Sequence, residues 1–341
     1  SMTISEGSKG TVLVTGGSGF LAGRAIIDLL ERGYDVRTTV RDEAKGPRIE
    51  ENVSNEIGRP AGIEFFEADL SSDDGWSDAV SGCRYVLHIA SPFPPAKPKD
   101  PQELIGPAVA GATRVIGAAL DAGAERVVMT SSVAAIRGSG EPKGSLYTEE
   151  DWTDVESVDA YPQSKTLAED AAWDLVDQRG ERERLAGINP SAILGPVMPD
   201  DDSFSLEAIQ RMLDGMPGAP RIGFSWVDVR DVSAAHLAAM EKPEAGGQRF
   251  IVSGPFLWLS EVAEILRREE PELARKAPTR TVPKPVLRVM ALFDPGIRAL
   301  LGNIGIRSDF DTTRAKEVLG IEARPVEQTI VDCARSLAAR S

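Results

Sequence analysis

From residue 11 the chain alternates short apolar, β-branched runs with longer segments whose apolar positions recur at helical spacing. TVLVT (11–15) predicts a buried strand, and the stretch from Phe20 to Arg32 predicts a helix that Gly33 ends. Further strands are predicted in YDVRTTV (34–40), GIEFFEA (62–68), RYVLHIA (84–90) and ERVVMTSS (125–132), with a helix from Asp100 to Ala122 between the last two. Strands that are apolar throughout and joined by helices belong to parallel sheets covered on both faces. The expected class is therefore α/β, with a doubly wound sheet.

Beyond Asn189 the alternation loosens. Residues 195–223 are rich in Gly, Pro and Met, and 253–341 carries helices such as Glu261–Glu269 with few candidate strands. The segment 225–252, with a helix over Val229–Met240 and a strand over Gln248–Val252, is expected to return to the main sheet. The predicted organisation is a sheet domain of residues 2–190 plus 225–252 and a smaller, mostly helical C-terminal substrate domain of 191–224 plus 253–341. Ser1, ahead of Met2, reads as the remnant of an expression tag, and no internal repeat is visible.

The first strand runs into a glycine turn, VLVTGGSGFLAG. Gly16, Gly17 and Gly19 stand between a predicted strand and the helix it opens, where backbone amides face a pyrophosphate in dinucleotide-binding Rossmann domains. Gly16, Gly19 and Ala22 form G-x-x-G-x-x-A, a variant of that fingerprint, so Gly16 and Gly19 are expected against the cofactor with Phe20 and Leu21 of the first turn. The second strand ends VRTTVRDEAK. A ribose 2′-hydroxyl calls for a carboxylate at this place and a 2′-phosphate for cations. Arg41 stands at the strand end with Lys45 and Arg48 after it, while Asp42 comes one place late, which favours NADP(H) over a merely solvated charge cluster. Asp69 and Leu70 are expected beside the adenine, and Ala90 and Ser91 are small enough for a close backbone approach.

The strand ending VVMTSSVAA brings Ser131 and Ser132 to the carboxyl edge of the sheet, where doubly wound folds bind ligands. About 30 residues later, AYPQSKTLAED opens a helix in which Pro162 suits the first turn and Leu167 and Ala171 share a face. Tyr161 and Lys165 are four apart, one helical turn, so both project to one side if the helix includes Tyr161; the residue before proline, which avoids the α region, is otherwise its half-in first residue. A phenol alone is a sluggish proton donor at neutral pH, and a nearby ammonium stabilises the phenolate that donation leaves behind. The set predicts carbonyl reduction, with Tyr161 as acid, Lys165 as its partner and a holder of the nicotinamide ribose, and Ser132 as anchor for the substrate oxygen.

Composition narrows the alternatives. Across 341 residues the net charge of −15 disfavours nucleic-acid and anionic-membrane partners. The two cysteines, Cys83 and Cys333, and the two histidines, His88 and His236, are too few and too isolated for a metal site, a disulfide framework or a His-based triad. No signal-like segment and no run of about 18 apolar residues is seen, so a cytoplasmic protein without a membrane span is expected.

Taken in order, TGGSGFLAG, ADL, HIASP, MTSSVAA, YPQSK and INPSAILGP resemble the extended short-chain dehydrogenase/reductases, and within them the dihydroflavonol 4-reductase-like aldehyde and ketone reductases, over roughly residues 11 to 340. The resemblance implies a Ser/Tyr/Lys catalytic set on Ser132, Tyr161 and Lys165, Ser132 being the serine directly before VAA. It also implies Pro190 and Ile193 near the nicotinamide, and WVDVRDV (226–232) returning beneath the site. Plant flavonoid reductases carry an asparagine shortly after the serine, where this chain has Ala134 to Arg137; sugar-nucleotide dehydratases carry Asp-Glu where it has Ser131 and Ser132. The implied substrate loop is SPFPPAKPKDP (91–101), with Phe93 walling the pocket beside Met198 and Phe204. The expected activity is reversible NADPH-dependent reduction of a small aldehyde or ketone by a monomer or homodimer, the latter pairing helix faces in 101–122 and 161–179. The alternatives are an NAD-dependent nucleotide-sugar epimerase or dehydratase and a non-catalytic dinucleotide sensor.

Overall fold

The computed structural model describes residues 5–91, 100–140 and 142–340. Its strands are β1 (Thr11–Val14), β2 (Asp35–Val40), β3 (Glu64–Glu67), β4 (Tyr85–His88), β5 (Arg126–Thr130), β6 (Leu185–Pro190), β7 (Ala192–Leu194), β8 (Ala219–Pro220), β9 (Gly223–Asp228), β10 (Arg249–Val252), β11 (Phe256–Trp258) and β12 (Thr281–Val282). The helices are α1 (Phe20–Glu31), α2 (Gly46–Ile57), α3 (Trp76–Val80), α4 (Gln102–Asp121), α5 (Ala160–Gln178), α6 (Phe204–Asp214), α7 (Val229–Glu241), α8 (Leu259–Glu269), α9 (Lys284–Met290), α10 (Pro295–Leu300) and α11 (Val326–Ala339).

Seven strands pair in the order β10-β6-β5-β4-β1-β2-β3, every pair parallel. The apolar runs are explained by burial on both faces. Val12 and Val14 point into a core shared with α1, α7 and the C-terminal helices, while Leu13 between them joins a second core with α3, α4 and α5. Val128 divides from Val127 and Met129 in the same way, as the two-residue period of a strand requires. The chain leaves β1 towards β2 and crosses back to β4 on the other side, so the switch point of this sheet lies between the carboxyl ends of β1 and β4.

The segment after Asn189 divides. Helix α7 and strand β10 return to the main sheet, but residues 225–228 lie in β9, which pairs with β7 and β11 in a separate three-stranded sheet; β8 and β12 form a further two-stranded one. The region beyond residue 190 therefore holds two small sheets as well as helices. Its α8 and α11 bury Val262, Leu266, Ile330 and Leu337 in the same core as α1 and α7. Helix α4 has the length and mean hydropathy, 1.2, of a membrane span, yet it packs Val115, Ile116, Ala119 and Leu120 into the core beside α5. Both cysteines are buried, and burial pushes the Cys83 thiol up to about 11 and the Cys333 thiol up to about 12.

Candidate active site

The switch point is tied by one hydroxyl. Thr15 Oγ1, just past β1, accepts from the backbone N–H of Ile89 at 3.0 Å and of Ala90 at 2.9 Å, beyond the end of β4. Its own hydrogen is thereby directed to His88 Nδ1 at 3.0 Å, which leaves the ring proton on Nε2. Burial, with the Lys165 charge as a smaller cause, holds His88 down to about 4, so the ring is neutral. Beside it the glycine turn is closely fitted. Gly16 has φ +70°, and a Cβ there would lie 2.8 Å from Ala90 Cβ; a Cβ at Gly17 would lie 2.3 Å from Thr38 Oγ1. Gly16 N–H donates to Thr39 Oγ1 at 3.1 Å. Gly19 caps α1 without a side chain, so the first-turn amides at Phe20 and Leu21 lack a side-chain acceptor, as an anion-binding helix start requires.

At the end of β2, Arg41 is exposed and helps hold the Asp69 carboxyl below its ordinary range, after the larger effect of hydrogen bonds from Ser71. Those bonds, at 2.9 Å from the backbone and 2.8 Å from the hydroxyl, occupy Asp69 Oδ1. Asp42 caps the turn 43–45 by accepting from Ala44 N–H at 3.0 Å, which explains an acid one place past the ribose position. Arg48 is withdrawn from the cation cluster by Asp200, 2.7 Å away. Arg41 and Lys45, both exposed, are in no ion pair among the described residues, and they fit a 2′-phosphate.

Above the carboxyl ends of β4 and β5 lies a cleft that brings together Leu70, Ala90, Ser91, Ser131, Tyr161 and Lys165, with His88 at its wall. Helix α5 begins at Ala160, so Tyr161 lies within it although it precedes a proline, and Pro162 stands where the missing N–H has no helical partner to lose. The helix buries Ser164, Ala168, Ala172 and Val176; the Leu167 and Ala171 stripe beside them is half-buried. Tyr161 is 44% exposed, and Lys165 Nζ lies 5.9 Å from its ring centre and donates to Ser91 Oγ at 3.2 Å.

The two serines, Ser131 and the expected anchor Ser132, stand in different surroundings. Ser131 lines the cleft, and its buried Oγ has no partner among the described residues. Ser132 Oγ accepts from Ala134 N–H at 3.0 Å and caps the turn 133–135, and its own hydrogen remains free to donate. Pro190 ends β6, buried against Val252, and Ile193 is half-buried in β7 opposite Val227. Between them Ser191 holds a second buried hydroxyl without a partner among the described residues. Pattern reading missed Ser191, Thr15 and His88, although each is a polar residue at the carboxyl end of a strand, which is the available signal.

Two expected wall residues lie elsewhere. Met198 packs on α1, where a Cβ at Gly23 would come within 2.6 Å of its Cε, and it lines a separate cavity with Phe20, Arg24 and Asp201. The cause is the anchoring of 198–201: Asp200 is held by Arg48 and by Asn52 at 3.0 Å, and Asp201 accepts from Met198 N–H at 2.7 Å. Phe204 is 55% exposed and meets the Phe224 ring edge-on at 6.1 Å. Phe93 lies outside the described residues. In WVDVRDV, Asp228 ends β9 and caps α7, whose His236 bonds Thr130 Oγ1 at 2.6 Å behind the cleft.

Asp201 carries its own test. Burial raises its carboxyl from the ordinary 3.8 to about 7. The folded chain thus keeps a proton that the unfolded chain releases, and this contribution, full below pH 3.8, is lost as pH rises through about 7. Asp201→Asn, which keeps an acceptor for Met198 N–H, is expected to match the wild-type Tm near pH 4 and to exceed it by several degrees at pH 8. Thermal melts across that range check it.

Comparison with known proteins agrees with the geometry. The model of the NAD dependent epimerase/dehydratase family matches residues 12–253. A cinnamoyl-CoA reductase of Medicago truncatula is 37% identical over 270 residues, covering 77% of this chain and 81% of the relative. A ketoreductase of Aspergillus niger is 31% identical, covering 96% and 97%. The crystal structure of the yeast methylglyoxal/isovaleraldehyde reductase Gre2, complexed with NADPH, superposes with a TM-score of 0.79 at 28% identity, covering 97% of this chain and 100% of that one. The glycine turn, the strand-end serines and the Tyr-Lys helix thus stand within a matched span, and the chain belongs to the NAD dependent epimerase/dehydratase family, as an extended short-chain dehydrogenase/reductase.

Proposed function

We propose that the protein reduces an aldehyde or ketone to an alcohol with NADPH. The observation that carries this reading is the convergence of Tyr161, Lys165 and the buried Ser131 hydroxyl, without a partner among the described residues, in one cleft at the switch point. Its relatives named above are reductases, one of them in complex with NADPH.

Bound NADPH supplies a hydride to the carbonyl carbon. The chain supplies the rest. Tyr161 Oη gives a proton to the carbonyl oxygen as it gains charge, so that hydride and proton together make the alcohol. Lys165, kept beside the tyrosine by Ser91, stabilises the phenolate left behind. Ser131 or Ser132 holds the substrate oxygen by donating its hydroxyl hydrogen, a contact that strengthens as the oxygen becomes anionic. The first-turn amides of α1 would face the pyrophosphate of bound NADPH, and Arg41 and Lys45 would hold its 2′-phosphate. The surroundings we assign are cytoplasmic, as a monomer or homodimer without nucleic-acid or membrane partners, in keeping with a net charge of −15 and two buried thiols.

The test is NADPH oxidation, followed at 340 nm, across aliphatic and aromatic aldehydes, 1,2-dicarbonyls and a hydroxycinnamoyl-CoA thioester. Turnover of at least one simple carbonyl with NADPH, well above that with NADH, is expected. A protein that oxidises none of them, and carries tightly held NAD instead, is not this reductase.

A further inference from the structure

Behind the Tyr161 helix lies a polar cluster that the proposed mechanism does not use. Glu169 of α5 is fully buried, one helical turn beyond Lys165 and two beyond Tyr161. Its Oε2 accepts from Arg249 Nε at 2.6 Å and Trp173 Nε1 at 2.8 Å; its Oε1 accepts from Asn189 Nδ2 at 2.6 Å and Arg249 Nη2 at 3.1 Å. Asn189, on β6 and also fully buried, donates through the same Nδ2 to the backbone carbonyl of Ser132 at 3.1 Å. Arg249, on β10, donates through Nη1 to the carbonyls of Glu149 at 2.9 Å and Asp151 at 2.8 Å and lies 3.7 Å from the centre of the Trp152 ring.

We infer that Asn189 and Glu169 are positioning residues, which set the distance and rotation of the Tyr161–Lys165 helix relative to the serine-bearing strand end; this rests on the reductase reading above. A buried ion pair loses its hydration, and apolar residues of like volume often serve stability equally well. Apolar packing holds a helix on a sheet without fixing its rotation closely, whereas hydrogen bonds are directional. Here the bonds run without a break from α5 through Glu169 and Asn189 to Ser132, the residue before the turn that follows β5. A displacement of about 1 Å between reacting groups lowers turnover by about 100-fold, so this link acts on kcat.

The experiment compares wild type, Asn189→Leu and Tyr161→Phe, using a carbonyl that the NADPH screen finds to be turned over. Asn189→Leu removes the link to Ser132 but keeps the Glu169–Arg249 pair. The expected result is a kcat at least about fivefold lower, with the NADPH Kd within about twofold of wild type. A smaller fall in a folded variant, or a fall matched by an equal loss of NADPH binding, overturns the inference. Asn189→Ser is measured in the same way if the leucine variant does not fold. Full activity in Tyr161→Phe would instead reject the catalytic reading itself, so the two failures are distinguishable.

Discussion

Tyr161→Phe is expected to lower turnover by about 10²–10⁴-fold, the range for losing a positioned general acid, while NADPH still binds. The substitution removes one oxygen from a ring that is 44% exposed at the cleft mouth, so little packing is lost and the protein should stay folded. The contacts assigned to NADPH lie mainly in the glycine turn and at the end of β2, apart from this hydroxyl. Equal kcat in the variant and wild type, by NADPH oxidation with an accepted aldehyde, would remove Tyr161 from the mechanism.

The second large effect concerns the choice of coenzyme. Arg41→Ala is expected to weaken NADPH binding by about 10–100-fold, the worth of a charge-assisted contact to phosphate, and to leave NADH binding nearly unchanged. Selectivity depends on which cations are free. Arg48 is engaged by Asp200 and Asp42 is spent as a cap, which leaves Arg41 and Lys45 for the proposed 2′-phosphate contact. Fluorescence titration with both coenzymes measures it, and equal losses for the two would contradict a 2′-phosphate site around Arg41.

What could be read from the sequence depended on the range of the interactions involved. Six of the seven strands of the main sheet and the glycine turn were legible because buried apolar runs and a left-handed Gly16 leave local marks in composition and spacing, whereas β6 (Leu185–Pro190) was not read as a strand. Tyr161 and Lys165 were legible because four residues make one helical turn. Long-range partners left no such mark. GFSWVD has a strand's pattern, but nothing local says that it joins β7 and β11 and not the main sheet. Arg48 looked like part of a phosphate cluster until an aspartate 152 residues away claimed it. The anchoring of that loop also moved Met198 from the expected substrate wall to α1. Glu169 reads as an ordinary helix-surface acid, and only Arg249, 80 residues later, and Asn189 make it a buried hub. The cap that Ser132 makes to Ala134 was likewise not visible in the motif.

The central claim is that a hydride passes from NADPH to a carbonyl carbon in the cleft of Tyr161 and Lys165. Its most direct measurement is isotope transfer: two NADPH samples, each deuterated on one face of C4, are incubated with an accepted aldehyde, and the alcohol is analysed by mass spectrometry. The account predicts one deuterium on the carbinol carbon from one sample and none from the other. Alcohol without deuterium from either sample would contradict it.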